Sequence, residues 1–184
     1  RIAIDLETKD PSLKLSGPGW ATGDGHVTGI AIATAGWSGY LPIRHEGGGN
    51  LDANFVFKWL NKTLSTNCDK IFHNALYDVG WLRREGIFLN GKIHDTVIAA
   101  PLIDENRRQY SLNSLGLDYC GEKKDESLLT EAANSFKIDP KAEMYKLPAK
   151  FVGVYAEQDA VLTLKLWDKL RKLLEIQKLE PIYE

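Results

Sequence analysis

The hydrophobic pattern of the chain begins with a short apolar run, Ile2 to Leu6, that contains one carboxylate. Short apolar runs rich in β-branched residues are typical of buried strands. Asp5 and Glu7 stand at the far end of this run with one residue between them. Because successive side chains on a strand point to opposite faces, both carboxylates are predicted to project from the same face.

The remainder of the chain alternates between short β-rich runs and stretches with apolar residues at helical spacing. Two β-rich runs separated by a turn at Gly36 predict a hairpin. Apolar residues repeating every three or four positions predict helices. The predicted strands are 2–8, 27–35, 37–43, 70–72 and 92–95. The predicted helices are 52–65, 73–86, 96–103, 111–121, 128–136 and 149–177.

The order of these elements indicates the fold class. Three strands come first, two of them in a hairpin, and the later strands alternate with helices. This order predicts an α/β domain whose mixed sheet contains an antiparallel strand and is covered by helices. The chain has 184 residues and no internal linker or repeat, so a single domain over 1–184 is expected.

Two polar segments are predicted to lie outside the regular elements. Residues 9–25 are rich in Gly, Pro, Ser and Asp and are predicted to form a long loop. Trp20 in this loop has two interpretations, stacking on a base or folding back over the edge of the core, and the second is favoured. The charge cluster from Glu122 to Glu126 is predicted to be a solvated surface loop.

Composition and charge narrow the class of protein. A hydrophobic fraction of 43% and a charged fraction of 26% are those of an ordinary globular protein, and no apolar stretch is long enough for a bilayer. Cys68 and Cys120 predict reduced thiols in a non-secreted, cytoplasmic protein. The chain opens at Arg1 inside a strand, which suggests a fragment. A net charge of −2 provides no basic excess for nucleic acid, so metal ions or a local patch would have to supply it.

The paired carboxylates of the first strand are a candidate metal site. Two like charges held close together repel unless a cation lies between them or one takes a proton. The alternative is a strand end that runs into solvent and carries two charged residues, and from this stretch alone the alternative is favoured.

Two more acidic residues stand out by their neighbours. Asn74 and Asp78 are four residues apart in a predicted helix, as are Tyr155 and Asp159 in the last one, so each pair is predicted to share a helix face. Apolar residues bracket both segments, and a charge in such a setting is seldom buried unpaired. The alternatives are an exposed position for Asp78 and, for Asp159, a salt bridge to Lys165 or another base.

Together these residues resemble a known family. The sequence is similar to the three motifs of the DEDD 3′–5′ exonucleases: Asp-x-Glu on the first strand, Asn-x3-Asp on a middle helix and Tyr-x3-Asp on a late helix. The tyrosine of the third motif resembles the DEDDy branch of that family. The run from Tyr155 to Leu164 resembles the third motif of proofreading domains in family-A DNA polymerases, from phages or bacteria. The resemblance implies a ribonuclease H-like fold, a mixed five-stranded sheet with flanking helices.

The chemistry of this family explains the residue types. Two divalent metal ions about 4 Å apart generate a hydroxide and stabilise the leaving oxygen of a phosphodiester. Oxygen ligands suit Mg²⁺ or Mn²⁺. By resemblance, Asp5 would bridge both ions, Glu7 and Asp159 would complete the first site, and Asp78 would hold the second. Tyr155 would orient the attacking water, because a phenol with a pKa near 10 is a poor general base.

The resemblance also implies contacts to the 3′-terminal nucleotide of a single-stranded DNA. The residues expected there are Thr8, Leu13 as an apolar wedge, His73, Asn74 and Tyr77. His73 stands where related domains carry Gln, and extra residues precede Leu13.

A basic–aromatic cluster and one further aspartate lie outside the three motifs. Arg107, Arg108 and Tyr110 form a basic–aromatic cluster that either contacts the DNA backbone or is a solvated turn. Asp95, at a predicted strand end, is expected to be structural, and no histidine is assigned to metal.

The function that follows is a metal-dependent 3′–5′ exonuclease domain that proofreads DNA and releases nucleoside 5′-monophosphates. A polymerase domain is expected C-terminal to this fragment, because the tail from Leu179 to Glu184 resembles the join to a polymerase core. One alternative is a stand-alone ribonuclease D-like exoribonuclease. The other is a catalytically silent module that binds single strands.

Overall fold

A five-stranded sheet forms the centre of the protein in the computed structural model, which describes all 184 residues. Its spatial order is β3-β2-β1-β4-β5. The pairs β1–β2 and β2–β3 are antiparallel, whereas β1–β4 and β4–β5 are parallel. The strands are β1 (Ile2–Lys9), β2 (His26–Thr34), β3 (Trp37–Pro42), β4 (Lys70–Phe72) and β5 (Ile93–Asp95). The predicted mixed sheet is confirmed.

Nine α-helices surround the sheet. They are α1 (Leu13–Ser16), α2 (Gly19–Thr22), α3 (Ala53–Leu64), α4 (Ala75–Arg84), α5 (Thr96–Ile103), α6 (Leu112–Leu115), α7 (Ser127–Phe136), α8 (Ala149–Ile176) and α9 (Glu180–Tyr183). A 3₁₀ turn covers Met144–Lys146. None of the helices combines the length and the apolar composition needed to cross a membrane.

The helix predicted over 111–121 is divided. It begins as α6 and continues as a π-helical turn over Gly116–Cys120. A Cβ on Gly116 would lie 2.6 Å from a methyl group of Leu162 on α8, so a larger residue here would require the buried Leu162 side chain to move. This packing against α8 has no signal in local periodicity.

The segment predicted as a long loop contains the two one-turn helices α1 and α2, and in this respect the prediction was wrong. Tertiary contacts hold the turns: the Asp10 carboxylate accepts the Gly19 amide at 3.1 Å, and Arg84 donates to the Gly19 carbonyl at 2.6 Å. The Trp20 ring packs closely over Gly80, where a Cβ would meet it at 2.4 Å. Trp20 thus folds back over the core, as favoured from the sequence.

The two faces of the sheet are packed by different helices. Ala3, Ala31 and Ile71 face a cluster formed mainly by α5 and α8. Ile4 and Phe72 face the opposite cluster, which α3 and α4 complete. The face toward α8 has small alanines on β1 and β2, so the long helix can approach the sheet closely.

Candidate active site

The end of β1 and the middle of α8 bring three carboxylates together. Asp5 and Glu7 share the β1 face that α8 covers. The residues paired with them on the neighbouring strand β2 are small, Ala31 and Gly29. Oxygens of Asp5, Glu7 and Asp159 lie within 4.8 Å of one another. The carboxylate pair of the first strand is therefore part of a cluster and not a charged end in solvent.

Asp78 lies beside this cluster. It occupies the first turn of α4 and is only 4% exposed, so the alternative of an exposed helix position is excluded. Burial, and then the charge of Asp5, raise its pKa well above the usual range. Asp78 does not belong to the group of three that lie within 4.8 Å of one another, but its carboxylate is close enough to interact with Asp5.

The carboxylates of the cluster are buried and lie close to one another, so burial and mutual repulsion both disfavour their charged forms. Burial first, and neighbouring carboxylates second, raise the pKa of Asp5 and of Glu7 well above the usual range. Burial also raises the pKa of Asp159, against the opposing effect of Lys124. Such a set of oxygen donors fits a hard divalent cation, which would relieve the repulsion without protons.

Lys124 is a site residue that the sequence reasoning missed. Its Nζ lies 2.6 Å from Oδ1 of Asp159, donates to the Tyr155 hydroxyl at 3.2 Å, and its side chain is 7% exposed. The prediction of a solvated loop over 122–126 was therefore wrong for Lys124. Asp159 does form an ion pair, but Lys165, the base named from the sequence, pairs with Glu122 instead.

Tyr155 stands one helical turn before Asp159 on α8, so the predicted shared face is confirmed. A hydrogen bond from Tyr155 helps to lower the pKa of Asp159. The pKa of Tyr155 itself is raised above its ordinary value, first by burial and then by Asp159 and Glu7. A phenol in this setting keeps its proton at neutral pH and is therefore suited to orient water as a hydrogen-bond donor, not to act as a base.

Tyr40 and His45 form a second contact that the sequence reasoning missed. Nδ1 of His45 lies 3.0 Å from the Leu147 carbonyl, so it carries the proton and Nε2 accepts from the Tyr40 hydroxyl at 2.6 Å. Burial, and then Glu7, raise the pKa of Tyr40. The hydroxyl lies over Gly29, where a Cβ would come within 2.0 Å. Tyr40 thus closes the cluster from the side of β3.

The predicted nucleotide contacts Thr8 and Tyr77 are brought together by the fold. Their hydroxyls lie 2.8 Å apart, and the Tyr77 hydroxyl donates to Asp10 at 2.8 Å. Leu13, the predicted wedge, lies on α1 and is 41% exposed. These side chains line the strand end next to Glu7, with β1 holding Thr8 and α4 holding Tyr77.

Asn74 does not share a helix face with Asp78, and this prediction was wrong. Helix α4 begins one residue later, and Asn74 itself adopts a left-handed conformation with φ of 75°. The Asp95 carboxylate accepts the amides of Asn74 at 3.0 Å and of Ala75 at 2.7 Å, which fixes this turn. Asp95 also accepts the Val97 amide at 2.9 Å, so the structural role expected for it is confirmed.

His73 lies at the end of β4 and bonds through Nδ1 to the Thr96 hydroxyl at 2.7 Å. Burial lowers the pKa of His73 to about 4, so its ring is neutral near pH 7.

The basic–aromatic cluster is tied into local contacts. Arg107 pairs with Asp118 at 2.5 Å, and the Tyr110 hydroxyl donates to the Asp104 carbonyl at 2.8 Å. Arg107 and Tyr110 are thus held against the protein, whereas Arg108 is exposed, and the contact to the DNA backbone stays a prediction.

The fold is the ribonuclease H-like fold, which the chain shares with solved nucleases. Trypanosoma brucei RNase D in complex with RNA U12 aligns with a TM-score of 0.66 and 19% identity over 92% of this chain and 54% of that chain. Brucella melitensis NrnC with bound Mg²⁺ aligns with a TM-score of 0.62 and 20% identity over 96% of this chain and 74% of that chain. The predicted fold class is confirmed.

The family model described as 3′–5′ exonuclease, found in family-A DNA polymerases, matches residues 1–175, and the chain belongs to this family. Its members depend on metal ions. A DNA-directed DNA polymerase of Pseudomonas phage M6 is 40% identical over 188 aligned residues, which cover 100% of this chain and 28% of that polymerase. The chain therefore spans little more than a quarter of this relative's length. The enzyme class predicted from the three motifs is confirmed.

Proposed function

We propose that the chain is the proofreading domain of a longer DNA polymerase and removes nucleoside 5′-monophosphates from single-stranded 3′ ends. The observation that carries this proposal is the cluster of Asp5, Glu7 and Asp159, whose oxygens lie within 4.8 Å of one another in a chain of the 3′–5′ exonuclease family. No local pattern requires residues so distant in sequence to meet. Their meeting supports catalysis over the alternative of a silent strand-binding module.

The four carboxylates are proposed to hold two divalent ions, Mg²⁺ or Mn²⁺. Asp5 would contact both ions, Glu7 and Asp159 the first, and Asp78 the second. The bound ions would supply a hydroxide near neutral pH and would stabilise negative charge on the leaving oxygen. The burial of these acids beside like charges supports the assignment, because a divalent cation bound among them would relieve their repulsion.

The remaining residues are proposed to orient the reacting groups. Tyr155 would keep its proton and donate a hydrogen bond that orients the attacking water, in keeping with its raised pKa. Thr8 and Tyr77 would position the terminal nucleotide through their linked hydroxyls. Leu13 would pack beside the terminal base from its exposed position. Neutral His73 and the neighbouring Asn74 would complete the pocket.

The proposed substrate is DNA. The 40% identity to a phage DNA polymerase exceeds the 19% and 20% identities to RNase D and NrnC, which support the fold alone. A polymerase domain C-terminal to this chain, in a bacterial or phage-infected cell, is part of the same proposal. It is supported by the greater length of the phage relative.

End-labelled digestion tests the proposal. Single-stranded DNA and RNA of one sequence, labelled at either end, are incubated with the protein in Mg²⁺ or in chelator. The expected result is a ladder that shortens from the 3′ end of the 5′-labelled DNA, immediate release of a mononucleotide from the 3′-labelled DNA, and no cleavage in chelator. Faster digestion of RNA would favour the ribonuclease D-like alternative, and cleavage in chelator would contradict the metal site.

A further inference from the structure

Lys124 is a buried cation in contact with two of the motif residues. Its ammonium lies 2.6 Å from Asp159 and 3.2 Å from the Tyr155 oxygen, and it also sits 4.5 Å from the centre of the Tyr155 ring. The positive charge lowers the pKa of Asp5, Glu7 and Asp159, against the effect of burial. None of the three sequence motifs contains this residue.

The segment that carries Lys124 is attached to α8 next to the site. The amide of Asp125 donates to Gln158 at 2.8 Å, and the Gln158 side chain donates back to the Asp125 carbonyl at 3.3 Å. Gln158 directly precedes Asp159. The neighbouring Lys123, in contrast, is exposed and forms no ion pair. The direction of Lys124 is therefore fixed by the backbone and does not depend on its own ion pair alone.

The chemistry of an ammonium group determines the direction of the hydrogen bonds. Lysine has three donors and no acceptor, so the oxygen of Tyr155 accepts from Lys124. The phenol then has its own proton to donate, and this proton is directed away from Lys124. Asp159 stands one helical turn further along α8 and its charge raises the pKa of Tyr155, so a carboxylate lies near this proton. The contact thus sets Tyr155 as a donor on the side of the carboxylates.

Burying a lysine for stability alone is unfavourable. Desolvation of an ion pair often cancels its attraction, and ordering the long side chain costs rotamer entropy. A contact of this kind next to the reacting groups is better explained by what it positions.

We propose that Lys124 is a positioning residue for the hydrolysis. Its ammonium donates to the Tyr155 oxygen and so directs the phenol O–H toward the carboxylates, where the attacking water would accept it. The inference rests on the proposed exonuclease function. It assigns the effect of Lys124 to Tyr155 and not to retention of the metal ion.

A double-mutant cycle tests this assignment. Lys124→Met is compared with wild type, with Tyr155→Phe and with the double variant on 5′-labelled single-stranded DNA, and Lys123→Met is the matched control. Residues that act as a unit have strongly non-additive effects. Lys124→Met is expected to lower kcat by about 10- to 100-fold with KM changed less than about 3-fold, and to cost less than about 3-fold in the Tyr155→Phe background. Lys123→Met is expected to resemble wild type.

Binding of Mn²⁺, measured by calorimetry without substrate, provides a second readout. Lys124→Met is expected to bind Mn²⁺ at least as tightly as wild type, because a neighbouring positive charge is gone. Weaker binding would mean that Lys124 acts by holding the ligand Asp159, and would overturn the assignment to Tyr155.

The outcomes separate the two proposals. Absence of both digestion and Mn²⁺ binding by wild type would contradict the proposed function. Two results with an active wild type would overturn the inference alone. One is a kcat of Lys124→Met equal to that of wild type. The other is a loss of kcat from Lys124→Met that is as large in the Tyr155→Phe background as in wild type. If circular dichroism shows that Lys124→Met does not fold, Lys124→Arg takes its place in the cycle. Arginine keeps the charge but not the point geometry of the donor, so a loss of kcat that depends on Tyr155 is again expected.

Discussion

The two faces of β1 have opposite chemistry although they belong to one strand. Ile4 and Leu6 point into an apolar cluster with α3 and α4, whereas Asp5 and Glu7 point toward α8 and meet Asp159 there. The first face stabilises the fold by removing apolar surface from water. The second face lacks that stabilisation, and the pKa values of its carboxyl groups, Asp5 and Glu7, are raised. If the proposed function holds, alternate residues of β1 serve stability and catalysis, so the effects of substitutions on the two faces should be separable.

Removing Asp5 should have the largest effect on activity. We expect Asp5→Ala to lower the rate of 3′ digestion by about 10⁴-fold or more, because both proposed metal sites lose a ligand. In chelator its melting temperature is expected to exceed that of wild type, since repulsion with Glu7 and Asp159 is relieved.

Thermal denaturation and digestion on the same preparations check this prediction. Glu131→Ala is the matched control, because Glu131 is an exposed carboxylate on α7. Retention of most activity by Asp5→Ala, or a lower melting temperature in chelator, would contradict the comparison.

Truncation on the apolar face should have the reverse effect. Ile4 is fully buried, so Ile4→Ala is expected to lower the free energy of unfolding by about 2–4 kcal/mol and Ile4→Val by about 1 kcal/mol. The folded fraction should keep its kcat. Urea titration gives the stability, and a loss of kcat in the folded protein would show that the faces are not separable.

Much of this division was predictable from the sequence. The alternation along β1, the period of α8 and the spacing of Tyr155 and Asp159 are local patterns that periodicity reports directly. The mixed sheet and the grouping of the carboxylates followed from them and from the family resemblance, whereas the spatial order of the strands did not.

The residues that were missed depend on contacts between distant segments. Lys124 and Lys123 are neighbours in one charge cluster, and only the attachment to α8 at Gln158 distinguishes them. Likewise, Asn74 leaves the helical conformation because Asp95, from the next strand, accepts its amide. Neither interaction has a signal in local periodicity.

The dependence of stability on pH is a further way to sharpen the comparison. Burial and like charges raise the folded-state pKa of Asp5 above its unfolded value. A carboxyl group whose pKa is higher in the folded state contributes to stability at pH values below its pKa in the unfolded state. This contribution to stability is lost as the pH rises through the pKa of the group in the folded state. In chelator, Asp5→Asn is therefore expected to have a higher free energy of unfolding than wild type, and the difference should grow as the pH rises above the unfolded-state pKa of an aspartate.

Surface groups such as Asp139, whose pKa is lowered by hydrogen bonds from the amides of Ala142 and Lys141, titrate in both proteins. Their effect on stability therefore cancels when the unfolding free energies of Asp5→Asn and wild type are subtracted. Urea titrations at several pH values measure this difference. A difference that is constant with pH would indicate that Asp5 titrates normally in the folded protein.

The smallest expected effect lies at the rim of the catalytic face. Tyr77→Phe removes the hydroxyl that links Thr8 and Asp10, so we expect KM for single-stranded DNA to rise about 3-fold with kcat within about 2-fold. Tyr119→Phe is a control, because the Tyr119 ring packs near Arg107 instead. A larger loss of kcat than of KM would place Tyr77 with the reacting groups.

The central claim is that the β1 face toward α8 is a divalent metal site. Anomalous diffraction from crystals soaked in Mn²⁺ tests it most directly. The account predicts a strong peak about 2.2 Å from oxygens of Asp5, Glu7 and Asp159, in the range of first-row metal–oxygen distances. Well-ordered carboxylates with no Mn²⁺ peak among them would contradict it.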